Sequence, residues 1–522
     1  MINRNAIMQG IVAGILALIT SFSIRLFIGG GFVPEIATQT FFSVIPGSIE
    51  AVAVGTLGVF AKYLTFVGAI IFCLIVYGII GQVLSKYNLR EGYYIKAIQY
   101  SIIGYASFLP IAIIFLLITR LITQPISNIL LAYSLILPNI IYGFTLSFLS
   151  ERTTLRDSFI AKTAKVSKRI SLNRRKFIRI GIISAITLYT YYGLSRLFKR
   201  RDSQPEIPKN ISGSIFESEV TPNELFFKVD INVLPSNIDI NQWRLEVTGL
   251  VNNDLELSYE ELTSMPVIEK YSTLECISNS LGGSSISTAL WKGVLLKTVL
   301  DQAQINPEAV FIIFRCHDGY DVGIPLDRGP HNDVILAYEM NGVRLPDDHG
   351  YPIRAITPGI YGMMNPKWIT RIELVNAQYK GYWQRGGWSN TAEYRAQSII
   401  VNPGNSQVRR RFIKFQSQVT KVIIGEPVLI SGYAFTGGKG VSKVEVSVDG
   451  GSTWEVAKIK EPLSEDTWTL WSLEWIPLIK GEHKIMVKAE NASGTPQIDV
   501  KYSAYPNGAT GHHVITVEGV EP

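Results

Sequence analysis

Cysteine is nearly absent from this chain. Three occur in 522 residues, Cys73, Cys276 and Cys316. Cys73 lies inside an apolar run, and the two that remain are too few for a disulfide framework or a cysteine-held iron–sulfur cluster. The soluble part must therefore be held together by its core. Histidine is also scarce: the six are His317, His331, His349, His483, His512 and His513. None precedes residue 317, so the amino-terminal part has no paired histidines for haem, and no Cys-x-x-Cys-His run attaches one covalently. No haem is expected in this chain. No Gly-x-Gly-x-x-Gly fingerprint is present, no internal repeat, and no low-complexity tract. No feature calls for a nucleic-acid partner.

What is present divides the chain into an apolar half and a soluble half. The net charge of +6 hides the asymmetry, because charges are few between Ile7 and Leu149. Four runs there are long enough to cross a bilayer at about 20 residues each: Ile7 to Gly29, Tyr63 to Ser85, Ala97 to Thr119 and Pro125 to Leu149. A fifth runs from Phe177 to Phe198. The stretch Thr40 to Lys62 is interrupted by Pro46, Gly47 and Glu50, and fits an interfacial, re-entrant or spanning segment alike. The first run is not read as a cleavable signal, since more spans follow and no small-residue site ends it.

Lys and Arg in the short loops set the orientation. Between Glu151 and Arg179 stand ten Lys or Arg against two acids. That places the amino terminus and residues 151–179 in the cytoplasm and everything after Phe198 outside, against the weaker opposing cluster Arg196, Lys199, Arg200 and Arg201. Within the basic segment, Arg174-Arg175-Lys176-Phe177 before an apolar run is either an ordinary positive-inside flank or a twin-arginine-like export motif, a receptor-read address for passengers that fold first.

After a polar linker to about Ser212, strand-like runs alternate with short helical pieces up to about Asn402. The strands are expected at 243–249, 309–316, 333–340 and 368–375, with helical spacing over Leu290 to Ala303. This is an α+β pattern. From Val419 the pattern becomes regular short strands with a hairpin turn at Asp449-Gly450-Gly451. With Trp454, Trp468, Trp471 and Trp475 expected to be buried, it predicts a β-sandwich.

Cys276 ends the apolar run Tyr271 to Cys276 and opens into the polar, glycine-containing stretch Ser278 to Ser285. A thiol where a strand gives way to a loop can face a cleft, as a soft metal ligand or a nucleophile; alone it is equally a small buried apolar residue. Cys316, at the end of another strand-like run, reads as a core thiol.

The ordered motifs around Cys276 decide between these. Thr221 to Phe227, Trp243 to Val251, Glu275-Cys276-Ile277-Ser278-Asn279, Trp291 to Leu296, Ala337 to Arg354 and Pro358 to Trp368 resemble the molybdopterin domain of the sulfite oxidase family. Val441 to Ile459 and its tryptophans resemble that family's immunoglobulin-like dimerisation domain. The form of the motifs, with spans upstream, resembles the membrane-anchored prokaryotic branch. The resemblance implies a multi-domain chain: transmembrane helices over 1–150, a basic segment, fifth span and linker over 151–212, a catalytic domain over 213–405, and an immunoglobulin-like β-sandwich over 415–522.

It also implies molybdenum–molybdopterin, with Cys276 as the metal's thiolate ligand. His349, Arg354 and Lys367 match cofactor-binding positions, with Asn365 beside Lys367, and Asn279 lies in the ligand-cysteine loop. Asp321 matches a position on the pterin ring, and Phe226, Phe227, Lys228 and Val229 match the loop covering the cofactor. Where animal and plant members carry an arginine pair after the ligand cysteine, this chain has Ser280 and Leu281. Where they carry an arginine and a histidine after the paired Phe, it has Val229 and Ile231. Their active-site tyrosine falls near Trp388. Arg385 and Lys228 are left as candidate cations for a substrate.

The expected activity is two-electron oxo transfer on a small substrate, sulfite-oxidase-like, with sulfoxide-reductase-like activity as the alternative. A non-catalytic tethered binding protein is a second class. A cysteine hydrolase built on Cys276 and His349 lacks an orienting third group. With one redox centre expected, a separate cytochrome or quinone-linked subunit is the expected electron partner, and the last domain's resemblance implies a homodimer.

Overall fold

The computed structural model describes residues 3–28, 31–57, 60–86, 93–119, 125–162, 219–232, 236, 238–326, 333–403 and 419–522. The twin-arginine-like motif, the expected fifth span and the linker after it lie outside the described residues.

The chain divides into two compact units. The first is built on helices α1 (Arg4–Ile28), α4 (Phe60–Leu84), α5 (Tyr93–Thr119) and α6 (Pro125–Lys162). Segments long and apolar enough to cross a membrane are Arg4–Leu26, Ala61–Leu84, Tyr93–Phe115 and Ala132–Ser150. Small residues set the helix spacing, as expected where lipid gives no hydrophobic drive to association. A Cβ on Gly10 would fall 2.5 Å from the Tyr77 carbonyl oxygen, and one on Gly143 would fall 2.4 Å from that of Ala97. The Tyr142 hydroxyl donates to the Tyr77 carbonyl at 2.9 Å.

The second unit gathers residues 33–69 and 112–127 together with everything from Gly213 onward. The interrupted stretch Thr40 to Lys62 resolves into α2 (Val33–Val44), α3 (Gly47–Leu57) and the first residues of α4. Pro46 causes the break, because its ring pushes the preceding residue out of helical geometry. Its carbonyl then accepts from the amides of Ile49 (2.9 Å) and Glu50 (3.2 Å) to start α3. At 12 and 11 residues, neither short helix alone spans a bilayer.

Two sheets build the middle of this unit. One has the order β2-β1-β10-β5-β6, from β1 (Leu245–Gly249), β2 (Leu255–Leu257), β5 (Phe311–Cys316), β6 (Asp321–Pro325) and β10 (Ile369–Val375). The other runs β3-β4-β7-β8, from β3 (Val267–Glu275), β4 (Ile286–Leu295), β7 (Ile335–Met340) and β8 (Val343–Arg344), with β9 (Arg354–Ile356) also on β7. A shared apolar core takes Leu245, Val247, Phe314 and Ile372 from the first and Val294 and Leu336 from the second. Cys316 is buried in it, as expected of a core thiol.

The expected helix over Leu290 to Ala303 is half strand. Leu290 to Leu295 belong to β4, held between β3 and β7, and only Leu296–Ala303 forms a helix, α8. Pairing on both edges outweighs the helical spacing. Between the sheets' elements, α7 (Tyr259–Thr263) starts with a capping box in which Ser258 and Glu261 satisfy each other's amides.

Two further sheets, β11-β13-β17-β16 and β12-β19-β18-β14-β15, enclose a separate core. Their longer strands are β11 (Gln397–Asn402), β13 (Val428–Phe435), β14 (Val441–Ser447), β17 (Thr469–Trp475), β18 (Gly481–Asn491) and β19 (His513–Val520); the short ones are β12 (Thr420–Ile423), β15 (Glu455–Val456) and β16 (Lys458–Ile459). Ile430 and Trp471 face Val444, Val446, Ile485, Val487 and Val517 across it. Of the four tryptophans expected to be buried, only Trp471 is fully so. The other three are half-buried, each with a polar or aromatic contact of its indole. The Trp454 indole closes its hairpin on Gly451 O at 3.1 Å, Trp468 donates to Glu219 O at 3.0 Å, and Trp475 packs edge-on against His483.

Candidate active site

Cys276 is the first residue beyond β3, and the following turn is fixed entirely by its own polar groups. The Cys276 amide donates to Ser285 O and its carbonyl accepts from Asn279 N, both at 2.9 Å. The Asn279 side chain donates to Glu275 Oε1 at 2.9 Å and accepts from Ser285 N at 3.0 Å. Asn279 is thus a brace for the turn, with its amide and carbonyl both used. Gly283 has to be glycine here, because a Cβ would lie 2.3 Å from Asn279 Oδ1. The Cys276 Sγ has the Ser278 hydroxyl at 3.1 Å. Burial pushes the thiol's pKa up, the Ser278 contacts oppose this, and the charges of Glu275 and Glu50 add to the rise. A bound metal cation reverses that balance and holds the sulfur as thiolate.

A cluster of buried cationic side chains stands on β9 and the turns beside it. Arg354 opens β9 and is 5% exposed. Its Nη1 donates to His349 O at 3.1 Å and its Nη2 to Asn365 O at 3.4 Å, while the guanidinium lies over the Trp291 ring. Its Nε has no partner, although it is buried. Burial lowers the Arg354 pKa to about 9. His349 ends a 3-10 turn over Asp347–His349, with Nε2 at 2.8 Å from Asn223 O and Phe226 edge-on to its ring. Burial holds His349 down at about 4, helped by Arg354 and Lys228. Lys367 pairs with Asp230 and donates to Asp348 O at 3.0 Å. Burial, with Lys62 and Lys228 nearby, keeps its pKa well below the usual lysine range.

The loop ahead of β1 lies along this cluster. Phe226 and Phe227 stack at 5.4 Å, Lys228 pairs with Asp348 at 2.9 Å, and Val229 is half-exposed. Asn365 spends both ends of its side chain on the loop, accepting from Thr357 N at 2.6 Å and donating to Tyr361 O at 3.1 Å.

The remaining expected residues form a second cluster. Asp321, the first residue of β6, takes a two-pronged bond from Arg385 at 3.0 and 3.1 Å and also accepts from the Tyr379 hydroxyl. Arg385 ends α9 (Tyr382–Arg385). Both cations expected to be free for a substrate, Arg385 and Lys228, are therefore paired with carboxylates. Trp388 is buried and donates its indole N–H to Glu50 Oε2 at 3.2 Å.

Glu50 belongs to α3, and it was not among the residues the sequence pointed to. Further contacts tie the same segment to this loop. Gly47 N donates to Gly386 O at 3.0 Å, and the Tyr382 hydroxyl donates to Gln39 O at 3.2 Å. The Lys62 ammonium donates to Asp230 O at 2.8 Å and to Asn232 O. The one available signal was a carboxylate inside an apolar run, which is costly unless it serves a site.

Among the described residues, no cluster of three or more His, Cys, Asp or Glu side chains offers a metal site of its own. A single soft thiol and, in the same unit, a buried guanidinium with a donor unused among the described residues fit a metal that brings its other ligands with it, on a cofactor ending in an anion. Gly350 keeps the space tight, since a Cβ there would sit 2.9 Å from Lys367 Cβ.

Comparison with known proteins agrees with that donor set. Residues 232–383 match the oxidoreductase molybdopterin binding domain, and residues 389–504 match the Mo-co oxidoreductase dimerisation domain. Sulfite oxidase of Gallus gallus is 33% identical over 328 residues, covering 54% of this chain and 69% of that protein. The chain belongs to the sulfite oxidase family. Mitochondrial sulfite oxidase of Rattus norvegicus is 31% identical, and the match spans 58% of this chain and 61% of that protein's length. Nitrate reductase [NAD(P)H] of Hordeum vulgare is 28% identical over 52% of this chain and 36% of its own. A solved structure, the sulfane dehydrogenase SoxCD from Paracoccus pantotrophus, is similar with a TM-score of 0.48 and 24% identity, covering 57% of this chain and 81% of that one. As in the rest of the sulfite oxidase family, the cofactor is molybdenum–molybdopterin.

Proposed function

We propose that this chain is a membrane-anchored molybdenum–molybdopterin oxidoreductase that carries out two-electron oxo transfer on a small substrate at an extracytoplasmic site. The observation that carries the reading is that one unit holds both the Cys276 thiol, just beyond β3, and the buried Arg354, whose Nε has no partner among the described residues. Cys276 would hold the metal; Arg354, His349 and Lys367 would hold the pterin and its phosphate. The bound cofactor supplies a metal that exchanges an oxo group while changing oxidation state by two electrons. The protein's part is to hold the Cys276 turn in place through the Asn279 brace and to keep bulk water out through burial by Phe226, Phe227 and the α2–α3 segment; the bound metal would hold the sulfur as thiolate.

The orientation has its own support. Residues 33–69 and 112–127, which join the catalytic unit, are the connections that lie opposite the basic segment when the spans are threaded in order. A membrane-fixed catalytic unit with one redox centre would pass electrons to a separate cytochrome or quinone-linked subunit. The dimerisation domain match supports a homodimer.

Elemental analysis of protein purified after expression with cofactor supply tests the reading. Stoichiometric molybdenum in the wild type, lost in Cys276→Ser, is expected; a metal-free wild type refutes it. A reporter fused after Phe198 is expected to signal from outside the cytoplasm, and a cytoplasmic signal would reverse the orientation.

A further inference from the structure

Lys62 is the second residue of Ala61–Leu84, one of the segments long and apolar enough to cross a membrane. A lysine at such a helix end ordinarily reaches for lipid headgroups or water. This one reaches into the catalytic unit, of which residues 33–69 are part. Its ammonium donates to the Asp230 carbonyl at 2.8 Å and to the Asn232 carbonyl. Asp230 and Asn232 lie in neither helix nor strand, so no backbone ladder meets those carbonyls and a side-chain donor does so instead. Asp230 is therefore held at both ends. Its carbonyl goes to Lys62, and its carboxylate pairs with the Lys367 ammonium. Lys367 also donates to Asp348 O at 3.0 Å. Among the described residues these bonds take two of its three donors and leave one for an anion.

We infer that Lys62 is a positioning residue for cofactor retention: through Asp230 it sets where the Lys367 ammonium stands against the cofactor's anionic end. The inference rests on the reading above that gives Lys367 to the cofactor. A lysine ammonium on its flexible four-carbon stem keeps one position only where something pins it. Asp230 is the one carboxylate paired with Lys367 among the described residues. The backbone of Asp230, lacking regular structure, is itself pinned by Lys62. The membrane-side segment then does more than anchor the catalytic unit; it completes the support of the cofactor cluster.

The test uses full-length protein in detergent, loaded with molybdenum–molybdopterin and dialysed while its molybdenum content is followed. Lys62→Met is expected to lose molybdenum on the order of tenfold faster than wild type, as supports one step removed from a bound metal group do when lost. Lys62→Arg can donate to both carbonyls and is expected to retain it nearly as wild type does. Added to Lys367→Met, Lys62→Met should bring no further loss, because its effect runs through Lys367. A general loss of fold, or a charge acting at a distance, would bring the same further loss in both backgrounds and overturns the inference. Wild-type retention in Lys62→Met overturns it as well. Should Lys62→Met not fold, Asp230→Asn keeps the Lys62 bonds and removes the partner of Lys367; faster loss there is expected, and unchanged retention overturns the relay. Lys367→Met that keeps molybdenum like wild type takes Lys367 off the cofactor and the inference with it, leaving Cys276 as the metal's ligand. Absence of molybdenum from the wild type overturns both.

Discussion

The two clusters around Cys276 differ in what their charges are for. Around Arg354, His349 and Lys367, basic groups are buried at evident cost: each has its pKa driven down by burial, and His349 is left neutral. Around Trp388 and Tyr382 the side chains are aromatic and the cation Arg385 is spent on Asp321, while the buried acids Glu50 and Glu275 accept from neutral donors, the Trp388 indole and the Asn279 and Gln397 amides. A protein that buries a guanidinium without a full set of partners has left room for an anion. The comparison teaches that one unit can bury basic groups that leave room for an anion and, elsewhere, acids that are met by neutral donors.

Four experiments can break or sharpen that contrast. The largest effect is expected from Arg354→Met. Removing the buried cation should weaken cofactor retention by roughly 4 kcal/mol, about a thousandfold, read as molybdenum kept after extended dialysis. The cofactor-free variant should be no less stable than cofactor-free wild type, because the orphaned donor goes with the side chain. Retention unchanged would assign the phosphate to other residues.

Acid comes next. His349 is held at about 4 against an ordinary 6.5, so the unfolded chain takes up a proton between those values and the folded chain does not. Stability is therefore intact above pH 6.5 and falls as pH drops toward 4, by about 3 kcal/mol from this residue. Denaturant melts across that range should show the slope, and His349→Gln should remove this share of it.

Trp388→Phe deletes the donor to Glu50. A buried carboxylate left without its hydrogen bond should cost about 2 kcal/mol at pH 8. Its pKa should also move further above 7, since the indole bond is what opposes burial there. The smallest effect belongs to Lys228→Met. Its ion pair with Asp348 is about a third exposed on each side, and such pairs contribute under about 1 kcal/mol. A large loss there would show that Lys228 touches the cofactor.

Much of the cofactor cluster was legible in the sequence because its residues sit in short, ordered motifs on a chain whose strands follow plain alternation. The run expected at 368–375 became β10, one residue shorter at its start. The cluster around Trp388 was not legible in the same way. Its defining contact joins Glu50 to Trp388, 338 positions apart, and a glutamate in an apolar run gives no hint of its partner. Arg385 looked free because its counter-ion, Asp321, lies 64 positions earlier. The helical spacing of Leu290 to Leu295 misled for a related reason: an apolar stretch hydrogen-bonded on both edges satisfies either period. Trp454, Trp468 and Trp475 are large enough to suggest full burial, yet each stays half-buried, with its indole against a nearby polar or aromatic partner.

The role of the Cys276 sulfur is tested most directly by X-ray absorption at the molybdenum edge, on wild type and on whatever metal Cys276→Ser retains. The expected result is one sulfur fewer in the metal's coordination shell of the variant. The same sulfur count in both proteins would contradict it, and would leave Cys276 as a packed thiol beside a cofactor held by other means.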